Sequence, residues 1–186
     1  SSGSFRPFGE LIRHAPMYVV VGNHDVMNAA GQQVLANFQL PDNEVTGDER
    51  CFSFARGPVR IIALDSNTWF ANDVYKPDHP THKFLLRELA RCTEPWIVVA
   101  GHHPIRSASR QGHDGRLQSV LLPELEQHQV SLYVSGHDHC YQRFGPNERW
   151  RVPMVVSGGG GKRLYDIKED PRVQLGAESL HKAYHW

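Results

Sequence analysis

Residues 96–104 read WIVVAGHHP, an apolar run that ends in a glycine followed by two histidines. Pro95 to Ala100 has the character of a buried strand, because an apolar stretch is bounded here by turn-forming residues. Similar arrangements stand at VVVGNHD, which ends at Asp25, and at LYVSGHDH, which ends at His139. Apolar strands that deliver polar side chains at their ends are therefore the main pattern of this sequence.

Helical and extended patterns alternate around these turns, and this alternation predicts an α/β fold in one domain spanning residues 1–186. The predicted strands are Met17–Val21, Cys51–Ala55, Val59–Leu64, Pro95–Ala100, Val130–Val134 and Val152–Val156. The predicted helices are Phe5–His14, Ala29–Phe38, Thr81–Cys92 with Thr81 as its N-cap, and Leu117–His128. In open α/β sheets, ligands bind beyond the carboxyl ends of the strands, so the three histidine-bearing turns are expected to face one site.

The composition narrows the classes of function. The chain has 20 Lys and Arg against 20 Asp and Glu, so it lacks the overall basic charge of a general nucleic-acid binder. No apolar run approaches the roughly 20 residues of a membrane span. The cysteines, Cys51, Cys92 and Cys140, form neither a CxxC pair nor a disulfide framework and are interpreted as ordinary thiols. Histidine, with 12 copies, is the residue type that points to chemistry, since it is the commonest metal ligand and acid–base group.

The residue types in the three turns suit a divalent cation. If Gly136-His137-Asp138-His139 stays extended, the two histidines point to the same side and could reach neighbouring metal ions. Asn23 offers a neutral oxygen ligand, and His24 could donate a proton to a leaving oxygen. Each motif also has a structural interpretation, such as capping of the next helix or a solvated turn, and these alternatives stay open for each motif taken singly.

GNHD, GHHP and GHDH, in this order, resemble the motifs of the calcineurin-like metallophosphoesterases. The stretches YVVVGNHD, WIVVAGHHP, SLYVSGHDHCYQRF and VVSGGGG are most similar to the purple acid phosphatase branch and its bacterial relatives. The resemblance extends from about Met17 to Gly161. It implies a layered β-sandwich flanked by helices, of which this chain would form the C-terminal portion.

The resemblance also implies a site with two metal ions, of Fe, Zn or Mn, that hydrolyses phosphate esters with a metal-activated hydroxide. By position, Asn23, His102 and His137 would bind one metal and His139 the other. The implied catalytic residues are His24 as proton donor, Asp25, and His113 as a histidine of the substrate pocket. The loop arginines Arg106, Arg110 and Arg116 could contact phosphate, although solvated loop arginines are the more ordinary interpretation.

The sequence departs from the family in one respect. A DxH or DxG strand end and a GDxxY turn, which precede GNHD in the family, do not occur before Asn23. The favoured explanation is that the chain is part of a longer enzyme. Alternatively, a second chain supplies these ligands, or Asp25, Asp65 or Asp138 replaces them. Loss of the first strands would leave a central strand at the edge of the sheet and make the isolated chain poorly stable or aggregation-prone.

The expected activity is phosphomonoester hydrolysis, with a cyclic-nucleotide or other phosphodiesterase as the alternative. A non-catalytic metal-binding or interaction module with half a site is the alternative of a different class. The expected partners are a small phosphate-ester substrate and the missing N-terminal segment or a second chain. Neither a membrane nor a nucleic acid is expected as a partner.

Overall fold

The computed structural model describes residues 9–27, 31–67, 78–110 and 112–185. Its helices are α1 (Gly9–His14), α2 (Asn23–Val26), α3 (Gln32–Leu35), α4 (Pro80–Ala90), α5 (Gly115–Gln127) and α6 (Pro171–Gln174). Its strands are β1 (Phe52–Arg56), β2 (Val59–Leu64), β3 (Trp96–Gly101), β4 (Leu132–Ser135), β5 (Tyr141–Phe144), β6 (Met154–Ser157) and β7 (Ala177–His181). None of the described helices has the length and apolar character needed to cross a bilayer.

The strands form one mixed sheet in the order β1-β2-β3-β4-β6-β5-β7. Strands β2, β3, β4 and β6 run parallel, whereas β1, β5 and β7 pair with their neighbours in antiparallel fashion. Helix α4 follows β2 and helix α5 follows β3, as expected for parallel strands joined by crossover helices. The predicted α/β class is confirmed, and the carboxyl ends of the four parallel strands lie together.

The main core lies between one face of this sheet and helices α4 and α5. Phe84, Leu85 and Leu89 of α4 are at most 4% exposed, because the apolar residues of this helix recur at helical spacing and share one side. They pack with Ile62 and Leu64 of β2 and with the leucines of α5. Burial of these aliphatic and aromatic side chains is the largest favourable contribution to folding.

The opposite face of the sheet is much less covered. The open face consists of side chains that share this side by register and are only partly buried: Ile61, Val98, Leu132, Val134 and Val155. Among the described residues, neither hydrophobic cluster includes them. Parallel strands are normally covered on both faces, so this apolar surface is unusual for a sheet of this kind.

Most predicted elements are present with shifted ends, but several expectations were wrong. Helix α4 is capped by His79, whose Nδ1 accepts from the Thr81 amide at 3.2 Å, and not by Thr81, which lies inside the helix. The helix predicted over residues 29–38 is described only as the short α3, and residues 28–30 lie outside the described part, as do residues 5–8 of the first predicted helix. Strands β5 and β7 were not predicted.

The segment Met17–Val21 is not a strand, contrary to its apolar pattern. It lies over β1 and β2, where Tyr18 stacks on Phe54 with ring centroids 4.2 Å apart and Val20 packs beside Phe52. No described strand lies beside it to form a ladder of hydrogen bonds. The expectation of a central strand at the sheet edge was also wrong, because each parallel strand has a neighbour on both sides.

Candidate metal and phosphate site

The GNHD turn brings Asn23 to the carboxyl end of the sheet, where Asn23 is the first residue of α2. A Cβ at Gly22 would lie 2.8 Å from Cε1 of His102, so only glycine allows this close approach of the turn to the imidazole. Asp25 accepts a hydrogen bond from the Gly22 amide at 2.8 Å and thereby caps the turn. His24 and Asp25 are both exposed.

His102 directly follows β3, and its Nε2 is the centre of the arrangement. This nitrogen lies 2.8 Å from Oδ1 of Asn23 and 3.1 Å from Nδ1 of His137. The ring of His103 lies beside both histidines, with ring centroids 4.9 Å from that of His102 and 4.9 Å from that of His137. Residues that are far apart in sequence thus direct an amide oxygen and two imidazole nitrogens to one point.

The GHDH turn is not extended, so the reason given for His137 and His139 to share an orientation was wrong. His137 has φ +64°, a left-handed conformation that is uncommon for residues other than glycine. Nδ1 of His139 lies 2.9 Å from the Arg163 carbonyl, and its ring packs against Tyr165 at 4.3 Å between centroids. The structure brings Asn23, His102 and His137 together but leaves His139 outside this group.

A buried network holds the GHDH turn in place. Asp138 is 0% exposed, and its Oδ2 accepts hydrogen bonds from the hydroxyls of Ser107 and Ser109. Gln142 donates from Nε2 to Ser107 Oγ at 2.9 Å, which ties the same network to β5. Gly158 allows close contact with the Asp138 carbonyl, which a Cβ at that position would strike. The left-handed backbone at His137 is therefore maintained by buried polar contacts around it.

His113 lies at the other side of the candidate site. Its Nδ1 accepts a hydrogen bond from the Ser107 amide at 3.0 Å, so this ring is oriented by the same segment that contacts Asp138. His113 lines a cleft of about 280 Å³ together with His103 and His137. A second cleft of about 260 Å³, lined in part by Asn23 and His103, adjoins it. We call the two clefts together the groove.

The three loop arginines have different environments. Arg106 is 1% exposed and lies between the rings of Phe144 and Trp150. It therefore does not reach the groove, contrary to the expectation that it could contact phosphate. Burial lowers the pKa of Arg106 to about 10. Arg110 lies over the ring of Tyr165. Of the three, Arg116 lines both clefts of the groove.

The environment keeps the histidines of the site neutral. Burial and the neighbouring imidazoles lower the pKa of His102 to about 3 and that of His103 to about 4. The pKa of His137 is also lowered, mainly by burial. Neutral imidazoles have free nitrogen lone pairs, which metal binding requires.

The ligand atoms of Asn23, His102 and His137 fit a first-row transition metal as part of its coordination sphere. One amide oxygen and two imidazole nitrogens are mixed ligands of the kind that Fe, Zn and Mn accept. Within the described ranges, His102, His103 and His137 are the only group of three or more His, Cys, Asp or Glu whose ligand atoms all lie within 4.8 Å of one another. No carboxylate belongs to this group.

The acidic residues considered as replacements have other contacts. Asp25 caps the GNHD turn, and Asp138 binds two serine hydroxyls. Asp65 is buried, and its Oδ1 accepts from the amide and the Nδ2 of Asn67, each at 2.9 Å. Asn67 in turn donates to the Val21 carbonyl at 2.8 Å and fixes the approach to the GNHD turn. These aspartates thus orient the backbone around the site.

Ser66 and Asn67 are the positioning residues that the sequence analysis missed. Ser66 Oγ lies 2.7 Å from Nδ1 of His103, while Asn67 holds the segment before Gly22. The signal was present, because Asp65-Ser66-Asn67 also follows an apolar strand. Its members are neither histidines nor an obvious ligand set, and only the tertiary structure gives their partners.

Comparison with known proteins agrees with this geometry. The sequence profile described as Calcineurin-like phosphoesterase matches residues 2–141, so the chain belongs to the calcineurin-like phosphoesterase family. The chain is 38% identical to purple acid phosphatase 17 of Arabidopsis thaliana over 162 residues, covering 78% of this chain and 47% of that protein. It is 29% identical to tartrate-resistant acid phosphatase type 5 of Sus scrofa over 170 residues, covering 80% and 48%. The chain spans about half the length of these relatives.

Solved structures show the same fold. A purple acid phosphatase from yellow lupin (Lupinus luteus) seeds superposes with a TM-score of 0.67 at 17% identity, covering 84% of this chain and 31% of that chain. GAP50, described as the anchor in the inner membrane complex of Plasmodium, gives a TM-score of 0.65 at 20% identity, covering 91% and 56%. The recognition of a purple acid phosphatase-like metallophosphoesterase is confirmed by these similarities.

Proposed function

We propose that this chain carries one side of the active site of a metal-dependent phosphoester hydrolase that acts on phosphomonoesters. The observation that supports this most directly is the convergence of Asn23 Oδ1 and His137 Nδ1 on His102 Nε2, at 2.8 and 3.1 Å. These three atoms are those that a single cation would draw together. The similarity to purple acid phosphatases supports the phosphomonoester substrate.

In this proposal Asn23, His102 and His137 hold one metal ion, which when bound polarises the phosphate and activates water for attack. His24 donates a proton to the leaving oxygen. It is exposed at the start of α2, near enough for its charge to lower the pKa of His102. Arg116 lines the groove, where it is paired with the Asp114 carboxylate at 2.9 Å, and we place it as a hydrogen-bond donor to the phosphate.

We further propose that a second metal ion uses His139 together with carboxylates from polypeptide outside the printed sequence, either the same protein or a second chain. The absence of a carboxylate from the group formed by the described histidines supports this division. The apolar open face supports it as well, because a second layer of structure would cover it. We place His113 beside the substrate, where it lines the groove, and Asp25 as the residue that caps the GNHD turn.

The experiment measures the metal bound to this chain after addition of Mn²⁺ or Zn²⁺, and hydrolysis of para-nitrophenyl phosphate after the carboxylate-bearing half of a relative is also added. His102→Ala and Asn23→Ala should each lose metal and turnover, whereas His181→Ala, which removes an exposed histidine from β7, should lose neither. Hydrolysis that survives both substitutions would reject the assignment of the site. Bis-para-nitrophenyl phosphate in a parallel assay distinguishes a diesterase from the proposed monoesterase.

A second candidate function is a non-catalytic module that binds one metal ion. The absence of a carboxylate from the described histidine group favours it, since a second metal ion would have no carboxylate ligand among the described residues. The fold is also shared with GAP50, whose description is that of an anchor. The module would be favoured over the hydrolase if the chain bound one metal ion and showed no turnover, even after addition of the carboxylate-bearing half of a relative.

A further inference from the structure

His103 lies where the two clefts of the groove meet. The larger cleft is also lined by His113 and His137, and the smaller one by Asn23 and Ser66. Both clefts share His103 and the ion pair of Asp114 and Arg116. A phosphate next to the converging ligand atoms would therefore lie against the His103 ring. Neither the three sequence motifs nor the proposed ligand set gives this histidine a role.

The hydrogen bonds of Ser66 determine which nitrogen of His103 carries the proton. Ser66 is 2% exposed, and its Oγ accepts the backbone N–H of His103 at 3.3 Å. A buried hydroxyl also needs an acceptor for its own hydrogen. Among the hydrogen bonds of the described residues, the acceptor available to Ser66 is Nδ1 of His103, at 2.7 Å. With Nδ1 accepting, the proton of the neutral ring is on Nε2.

A protonated Nε2 has no lone pair for a metal but can donate to an anion. The backbone keeps the ring in place as well, because Tyr133 donates from its buried hydroxyl to the His103 carbonyl at 2.8 Å. His103 is thus held at both its backbone and its Nδ1, and the remaining polar atom of its side chain is a donor.

We propose that His103 donates a hydrogen bond from Nε2 to an oxygen of the phosphate bound in the groove, and that Ser66 is the positioning residue that fixes this tautomer. This inference rests on the proposed function, since it requires a phosphate beside the metal ligands. In this proposal the two adjacent histidines of GHHP have different ligands, since His102 binds the metal and His103 binds the substrate.

Binding of inorganic phosphate to the Mn²⁺-loaded 186-residue chain tests this inference, with isothermal titration calorimetry as the measurement. Loss of a hydrogen bond to a charged ligand should weaken phosphate binding by about tenfold or more in His103→Ala. The amount of bound Mn²⁺ should be unchanged, as it should be in the control His181→Ala. His103→Gln, which places an amide N–H near the position of Nε2–H, should recover part of the affinity.

The role of Ser66 has its own readout. In ¹⁵N-histidine NMR spectra, His103 should be protonated at Nε2 in the wild type and should populate both tautomers in Ser66→Ala. A wild-type ring protonated at Nδ1 would overturn the inference, and so would a loss of Mn²⁺ in His103→Ala, which would make His103 a ligand. Equal phosphate affinity of the wild type and His103→Ala would reject this inference alone. Failure of the Mn²⁺-loaded wild type to bind phosphate would instead reject the proposed function and this inference with it.

Discussion

Asp138 offers the sharpest test of how the GHDH turn is held. The substitution Asp138→Ala removes the acceptor of two buried hydroxyls, those of Ser107 and Ser109. Ser107 Oγ already accepts from Gln142 and from the Ser109 amide, so its hydrogen has no other acceptor among its described bonds. The Ser107 donor left without a partner costs about 1–3 kcal/mol and the lost Ser109 bond about 1 kcal/mol more, which gives about 2–4 kcal/mol in all.

Urea titration followed by far-UV circular dichroism measures this loss as a lower midpoint at an unchanged m-value. Ser109→Ala removes only one of the two bonds and should cost about 1–2 kcal/mol, so it remains measurable if Asp138→Ala does not fold. The matched control is Asp166→Ala, since this carboxylate is 84% exposed and pairs with Lys182 at the surface. A change below about 1 kcal/mol is expected for the control. If Asp138→Ala were as stable as the control, the network would not hold the turn.

Three further predictions concern the core, the pH dependence and the open face. Phe84→Ala removes a side chain from the core against α5 and should lower the free energy of unfolding by about 3–5 kcal/mol. Leu11→Ala, at a side chain that is 60% exposed, should change it little. Equal urea midpoints for the two variants would contradict this prediction. The hydrogen bond from Arg60 lowers the pKa of Glu94 from 4.5 to about 2, so this pair stabilises the fold above about pH 4.5 and the effect is lost as the pH falls toward 2. Glu94→Gln should therefore lower the thermal midpoint at pH 7 but not at pH 2, and an equal loss at both would refute this. The isolated chain should self-associate on size exclusion through its open face, and a monomeric, cooperative melt would count against that.

The positions of the candidate ligands could be predicted from the sequence because strand ends are a local signal. GHHP and GHDH follow β3 and β4, which are neighbours in the sheet, so their first histidines are brought to the same edge of the sheet. The α/β class was predictable for the same reason. What local patterns could not give was the orientation of His139, which depends on the left-handed backbone at His137 and on its contact with Tyr165.

The failures share a physical cause, since each depends on a partner that is distant in sequence. Met17–Val21 has the apolar pattern of a strand, yet a strand needs a neighbour for its hydrogen bonds and the described residues provide none. Arg106 has a side chain suited to phosphate but lies between two aromatic rings that are distant from it in sequence. Ser66 is unremarkable in sequence and acquires its importance through His103.

The left-handed backbone at His137 has an evolutionary consequence. The proposed metal uses the imidazole of His137, and histidine is among the few residues other than glycine that are enriched at such a positive φ, here +64°. A left-handed conformation costs a residue with a Cβ about 1–2 kcal/mol, so a lineage released from selection for metal binding would gain stability by replacing His137 with glycine. We therefore expect glycine at this position in related chains that no longer bind the proposed metal.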